Sequence, residues 1–94
     1  MAGRDVEQDL VKKIIRWLRT EKCTIIDTNT PSVFFVKDGF WGAIEVKKTK
    51  TSPFRPGQRE MVAKLDSMSW AKIVWSGKDT NWPETQEELK EILR

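Results

Sequence analysis

Two runs of β-branched and aromatic residues, joined by the short link Lys37-Asp38-Gly39, constrain the fold of this chain more than any other feature. The first run covers residues 32–36 and the second covers residues 40–47. An Asp-Gly pair between two apolar runs is a strong signal for a tight hairpin turn. The sequence therefore predicts an antiparallel pair of strands, around which the rest of the chain has to fold.

The segments on either side of this hairpin predict further helices and strands. In the first helix, apolar residues recur every three or four positions while basic residues take the opposite side. Proline suits the first turn of a helix, which places helix starts at Pro56 and Pro83. The predicted helices cover residues 5–20, residues 56–68 with an inner stripe of Met61, Val62, Leu65 and Met68, and the segment from Pro83; the other predicted strands cover residues 23–27 and 71–76.

The order of these elements is α-β-β-β-α-β-α, which predicts an α/β fold. The strand-helix-strand unit favours a right-handed crossover with parallel pairing, whereas the tightly linked earlier strands pair antiparallel. We therefore expect a mixed β-sheet flanked by helices. With 94 residues and 11.0 kDa, we expect residues 1–94 to form a single domain.

The composition excludes several kinds of chemistry. The chain has no histidine and one cysteine, Cys23, which removes histidine triads, the usual zinc sites and an internal disulfide. Catalysis would depend on carboxylates, lysines, hydroxyls and a hard metal ion with oxygen ligands. No apolar run approaches the roughly 20 residues that cross a bilayer. We expect a soluble, cytoplasmic protein without a membrane partner.

Glu45 and Lys47 are the first candidates for a site. Alternation along the strand places both on one face with Trp41 and Ala43, and their Cα atoms are about 7 Å apart. A carboxylate beside an ammonium group on a rigid strand can bind a divalent cation and position a water or phosphate oxygen. The competing interpretation is an ordinary solvent-facing charged pair.

Charge is distributed unevenly along the chain. Residues 79–94 contain five acidic and two basic residues, although the net charge of the whole chain is +3. Residues 47–59 contain only basic charges, which would attract a phosphate backbone without reading sequence, or would simply be a solvated loop. These basic residues are Lys47, Lys48, Lys50, Arg55 and Arg59.

The ordered set of short motifs resembles the PD-(D/E)XK nuclease superfamily, and within it the small VRR-NUC (virus-type replication-repair nuclease) family. The resemblance spans about residues 6–76. It implies a restriction-endonuclease-like core. The motifs are Val6-Glu7 with Leu10, Thr30-Pro31-Ser32, Ala43-Ile44-Glu45-Val46-Lys47 and Pro56-Gly57-Gln58.

The resemblance also implies roles for individual residues. Glu7 matches an acid of the first helix that supports the metal site, and Gln58 matches a glutamine that completes it. Glu45 matches the metal-binding acid, while Lys47 matches the lysine that orients or helps to deprotonate the attacking water. We expect Mg²⁺ or Mn²⁺ to be the cofactor. The expected metal ligands are Glu45, the carbonyl of Val46 and water, with Ser32 or Asp27 nearby, and the expected contacts to the DNA backbone are Lys48, Lys50, Arg55 and Arg59.

One motif departs from the family pattern. Pro31-Ser32 stands thirteen residues before Glu45, where Pro-Asp is expected. A serine hydroxyl can coordinate magnesium but contributes no negative charge. Three accounts remain open: weak cleavage with Ser32 as a poor ligand, recruitment of Asp27 or Asp38, or nucleic-acid binding without cleavage. Asp38 suits the hairpin turn, so Asp27 is the better substitute.

The leading hypothesis is a metal-dependent DNA endonuclease. Because a chain of this length covers little of a duplex, a homodimer with two sites and a branched DNA substrate would suit it. The alternative is a catalytically impaired nuclease-fold protein that binds nucleic acid without cutting it. A third hypothesis is a regulatory or inhibitor protein that binds a partner through its acidic C-terminal helix.

Overall fold

The structure is a computed structural model that describes residues 6–27 and 32–94, with Asp27 described by its backbone alone. The order of the elements confirms the predicted α-β-β-β-α-β-α arrangement. The elements are α1 (Val6–Thr20), β1 (Thr24–Asp27), β2 (Ser32–Lys37), β3 (Phe40–Lys47), α2 (Gln58–Met68), β4 (Ala71–Trp75) and α3 (Trp82–Ile92).

The four strands form one mixed sheet in the order β1-β2-β3-β4, as predicted. Both β1–β2 and β2–β3 pair antiparallel, and β3–β4 pair parallel across the α2 crossover. Asp38 and Gly39 form the two-residue turn between β2 and β3 with φ values of 48° and 84°. These positive φ values are what a hairpin turn of this length requires, and they explain the Asp-Gly pair.

The two faces of the sheet are covered differently. Ile44 and Val46 of β3 point to a face where α1 and α3 pack, and the largest apolar cluster lies there with Ile14, Leu18 and Leu89 at its centre. Ala43, Glu45 and Lys47 of β3 belong to the opposite face, where α2 packs against β3 and β4. Glu45 and Lys47 thus lie on the face of the sheet against which α2 packs.

Helix α2 departs from the prediction in two ways. It begins at Gln58 instead of Pro56, because Gly57 adopts a left-handed conformation with φ of 76°. The predicted inner stripe was wrong for Met61 and Met68, which are 58% and 66% exposed. None of the residues of α2 is fully buried, so this helix covers its face of the sheet thinly.

None of the helices within residues 6–27 and 32–94 has the length and apolar character needed to span a bilayer.

Candidate functional site

The centre of the candidate site is a contact between two neighbouring strands. The register of β2 and β3 places Ser32 directly opposite Glu45. The Ser32 hydroxyl donates a hydrogen bond of 2.6 Å to Oε1 of Glu45. Glu45 is only 9% exposed, so its carboxylate belongs to the interior between the sheet and α2 and not to an open surface. The solvent-facing interpretation of this acid is therefore wrong.

The second oxygen of the same carboxylate has no hydrogen-bond partner. Oε2 of Glu45 is fully buried and accepts no hydrogen bond within the part of the chain that the structure describes. A cavity of about 80 Å³ lies beside it. Burial of an anionic oxygen without a donor or a cation is costly, and such groups concentrate at functional sites. The cavity is lined by Ser32, Glu45, Gln58 and Lys72 together with apolar residues that include Phe34, Ala43, Met61, Val62 and Leu65.

The ammonium group of Lys47 is fixed by contacts with the segment that enters α2. It donates hydrogen bonds to Oε1 of Gln58 at 2.6 Å and to the carbonyl oxygen of Pro53 at 3.3 Å. It also lies 4.7 Å from the centre of the Phe54 ring, where cation–π attraction operates. Oε1 of Gln58 accepts a second bond, from the backbone N–H of Arg55 at 3.1 Å. Gln58 therefore couples Lys47 to the loop of residues 48–57, which joins β3 to α2 and which we call the basic loop.

The N-terminus of α2 contributes to the electrostatics of the site. Gly57 occupies the position before the helix and supplies no side-chain cap, and the N–H of Gln58 donates a hydrogen bond to the carbonyl oxygen of Arg55 at 3.0 Å. Glu45 lines an open hollow with Gly57 and Gln58. The partial positive charge of a helix N-terminus stabilises a nearby anion. This end of α2 therefore offsets part of the cost of burying the Glu45 carboxylate, and it also favours a phosphate that approaches the same hollow.

The backbone of β3 adds one more oxygen to the site. Ala43 and Lys47 direct their backbone polar groups to β4, as shown by the bonds from the Ala43 N–H to the Trp70 carbonyl and from the Ser76 N–H to the Lys47 carbonyl. Backbone groups alternate along a strand, so those of Val46 point to the other side, towards the end of β2 where Ser32 lies. The Val46 carbonyl thus lies on the Ser32 side of β3.

The four basic residues predicted to contact DNA are all exposed around this site. The guanidinium group of Arg59 lies 4.6 Å from the centre of the Phe54 ring, and the ammonium group of Lys50 lies 5.9 Å from the Trp75 ring. Sequence reasoning missed Phe54, which contacts both Lys47 and Arg59. A lone aromatic residue inside a basic loop was the available signal. The four exposed residues are Lys48, Lys50, Arg55 and Arg59.

The structure does not bring every predicted site residue together. Glu7 lies in α1, which packs on the Ile44 face of the sheet, whereas Glu45 and Lys47 belong to the face against which α2 packs. The side chain of Asp27 lies outside the described residues. Asp38 is in the turn at the start of β3, the far end of the strand from Lys47.

The site is consequently poor in negative charge. Within residues 6–27 and 32–94, no three His, Cys, Asp or Glu side chains come together as a metal-ligand group. The oxygen donors that do meet are the Glu45 carboxylate and the Ser32 hydroxyl, and the Val46 carbonyl is directed to the same side of β3 as Ser32. These are hard ligands of the kind that Mg²⁺ and Mn²⁺ accept, with one negative charge in place of the usual two or more.

The acidic helix α3 is engaged within the domain. Oε2 of Glu88 accepts a bond of 2.6 Å from the indole N–H of Trp70, and Oε1 of the same carboxylate lies 3.5 Å from the ammonium group of Lys72. Glu87 and Glu91 form ion pairs with basic residues three positions later. Several of the acids that suggested a partner-binding surface thus have partners inside the chain.

Comparison of the chain with protein-family models, with curated proteins and with solved structures finds no match.

Proposed function

We propose that this chain is a metal-dependent nuclease domain that hydrolyses phosphodiester bonds in DNA, with a restriction-endonuclease-like core of the VRR-NUC type. The observation that carries the proposal is the buried Oε2 of Glu45, which accepts no hydrogen bond from the described residues, on the same face of β3 as the fixed ammonium group of Lys47. A buried carboxylate oxygen without a partner lowers the stability of a folded domain unless a cation or a hydrogen-bond donor contacts it.

The oxygen donors fit a hard divalent cation. Glu45, Ser32 and the Val46 carbonyl would hold Mg²⁺ or Mn²⁺, which would supply Lewis-acid polarisation of a phosphoryl oxygen. Lys47 uses two of its three N–H groups for Gln58 and Pro53. The third N–H remains for a phosphate oxygen or an attacking water, so Lys47 can orient the nucleophile and offset the charge that develops on the phosphate.

The basic loop supplies the affinity for DNA in this proposal. Exposed Lys and Arg side chains that contact phosphates fix the position of a nucleic acid without reading its sequence. The uncapped N-terminus of α2 lies beside the same hollow as Glu45 and adds a favourable field for phosphate. The contacts would come from Lys48, Lys50, Arg55 and Arg59. A homodimer with two such sites would suit a branched substrate.

A specific observation also favours the second candidate, a nuclease-fold protein that binds nucleic acid without cutting it. Only one carboxylate is described at the site, and Ser32 stands where the resemblance implies an aspartate. A single negative charge neutralises a divalent cation incompletely, which lowers its occupancy. In that case the basic loop would be functional and the site would not cleave.

Cleavage assays separate the two candidates. Labelled branched, nicked and linear DNA would be incubated with Mg²⁺ or Mn²⁺ and the wild-type protein, Lys47→Ala or Lys78→Ala. Lys78 is an exposed lysine outside the site and serves as the charge-matched control. We expect cleavage by the wild type and by Lys78→Ala, reduced about 100-fold or more in Lys47→Ala. Binding without cleavage supports the second candidate, and equal cleavage by Lys47→Ala contradicts the nuclease proposal.

A further inference from the structure

The outward face of α1 carries a row of basic residues that the proposed site does not use. Lys12, Arg16 and Arg19 are all exposed, and their spacing of four and three residues aligns them on one side of the helix. With Ile15 and Thr20 they line an open hollow of about 580 Å³. We call Lys12, Arg16 and Arg19 the α1 basic row.

The α1 basic row has no ion pair among the residues that the structure describes. In the part of the chain that the structure describes, no carboxylate lies within 4.0 Å of these three side chains. Helix α3 contrasts with this pattern, because Lys90 and Arg94 each pair with a glutamate three residues earlier. Like charges four residues apart destabilise a helix. The α1 basic row therefore contributes no stabilising ion pair to the fold.

The opposite side of α1 restricts which kind of polyanion the α1 basic row can bind. Four of its apolar residues are buried in the main core and are therefore not free to enter a lipid surface. A membrane-binding amphipathic helix needs that face free. A rigid phosphate backbone, which requires only exposed cations, fits α1 better. The buried residues are Leu10, Val11, Ile14 and Leu18.

The α1 basic row and the basic loop are far apart in the fold. Helix α1 packs on the Ile44 face of the sheet, whereas the loop leads into α2 on the Glu45 face. Only three residues connect α1 to β1, so α1 runs back along the sheet and Arg19 lies towards the end where β3 begins. The loop follows the other end of β3. A straight duplex on the loop cannot also reach Arg19, and sharp bending of DNA is costly.

We propose that the α1 basic row binds the phosphate backbone of a second nucleic-acid segment, distinct from the one at the basic loop. This inference rests on the nucleic-acid binding proposed above and extends it to a substrate with two arms. Lys12 and Arg19 are separated by about 10 Å along the helix axis. Measured along the duplex axis, one DNA strand rises roughly 3.4 Å per phosphate, so this length corresponds to about three phosphates, one for each cation.

The test measures the salt dependence of binding without cleavage. The full chain would be titrated in EDTA, from 50 to 200 mM salt, with a labelled four-way DNA junction and with a linear duplex of one arm's sequence. Three variants would be compared, each with three cations removed and each checked for folding by circular dichroism. They are the row variant (K12Q, R16Q, R19Q), the loop variant (K48Q, K50Q, R55Q) and a control (K64Q, K78Q, K90Q).

We expect the row variant to lose affinity for the junction and to keep wild-type affinity for the linear duplex. The slope of log K against log salt on the junction should fall in magnitude by about 2.7, which is 0.9 for each of three phosphates. The loop variant should weaken binding to both DNAs. The control should behave as the wild type on both.

Other results would overturn the inference in distinguishable ways. If the row variant matches the control on the junction while the loop variant loses affinity, the α1 basic row is not a DNA contact and the proposed function stands. If neither wild type nor variants bind DNA, the proposed function itself fails. If vesicles containing phosphatidylserine bind the wild type and not the row variant, with junction binding unchanged, the row binds membranes instead.

Discussion

Ser32 and Glu45 face each other across β2 and β3, and the serine hydroxyl donates a hydrogen bond of 2.6 Å to the carboxylate. In the absence of a cation, Ser32→Asp would place two carboxylates against each other at this position. We expect the melting temperature of Ser32→Asp in EDTA to fall by about 4–8 °C, which corresponds to roughly 1 kcal/mol in a domain of this size.

Divalent cations should reverse that loss, because a second carboxylate adds the charge that the site lacks. Differential scanning calorimetry with and without Mn²⁺ measures the effect, with Thr51→Asp in the exposed loop as the matched control. The Mn²⁺-dependent rise in melting temperature should be larger for Ser32→Asp than for the wild type. An equal rise in both would mean that Ser32 does not lie at a metal site.

Glu45→Gln tests the buried carboxylate itself. Gln keeps an oxygen that can accept the bond from Ser32, and it removes the charge that burial disfavours. We therefore expect Glu45→Gln to unfold at equal or higher urea concentration than the wild type in EDTA, and to lose any stabilisation by Mn²⁺. A large destabilisation in EDTA would show that the charge has a structural role and would count against a functional site.

Gln58 is expected to position Lys47 and not to bind DNA. Gln58→Ala removes the acceptor that binds the Lys47 ammonium group and the Arg55 N–H. We expect the cleavage rate to fall by about 10-fold, with DNA affinity within twofold of the wild type, because a catalytic group that is free to move loses effective orientation. Gln86→Ala in α3 is the control. A parallel loss of DNA affinity would assign Gln58 to binding instead.

The single thiol gives a pH-dependent prediction. Burial raises the pKa of Cys23, the nearby Lys37 ammonium group lowers it in part, and Glu21 adds to the rise. Because the folded pKa is above the unfolded one, the stabilisation is complete below the ordinary thiol pKa and is lost as pH rises through the folded value. Urea unfolding at pH 7 and pH 10 should therefore show a greater loss of stability in the wild type than in Cys23→Ala.

Gly42 is required because the Phe35 ring lies directly over it. A Cβ atom at position 42 would come within 2.5 Å of the Phe35 ring, and Phe35 is completely buried. We expect Gly42→Ala to lower the free energy of unfolding by about 1–3 kcal/mol. Phe35→Leu in the same chain should make the alanine substitution less costly, since the two sites are in contact. Additive effects in denaturant titrations would contradict this packing argument.

Much of the fold could be predicted because it depends on local patterns. The Asp38-Gly39 turn requires positive φ values that few residue pairs adopt readily, and alternation along β3 places Glu45 and Lys47 on one face whatever surrounds them. The exposure of Met61 and Met68 could not be predicted in the same way. Helical periodicity identifies an apolar side, but the width of sheet available to cover it depends on the other strands.

In the candidate site, too, some features follow from the local sequence and others depend on tertiary packing. The chain's residue order alone determined which strand carries the acid and the lysine, and it placed Gln58 near the start of the next helix, because these features follow from short-range geometry. The two-residue turn also sets the register that places Ser32 opposite Glu45. The burial of Glu45 and the contacts of Lys47 with Gln58 and Phe54 were decided only when α2 and the loop before it packed onto the sheet. A contact such as that between Lys47 and Gln58, 11 residues apart on two different elements, depends on how the chain closes in space, and no local pattern specifies it.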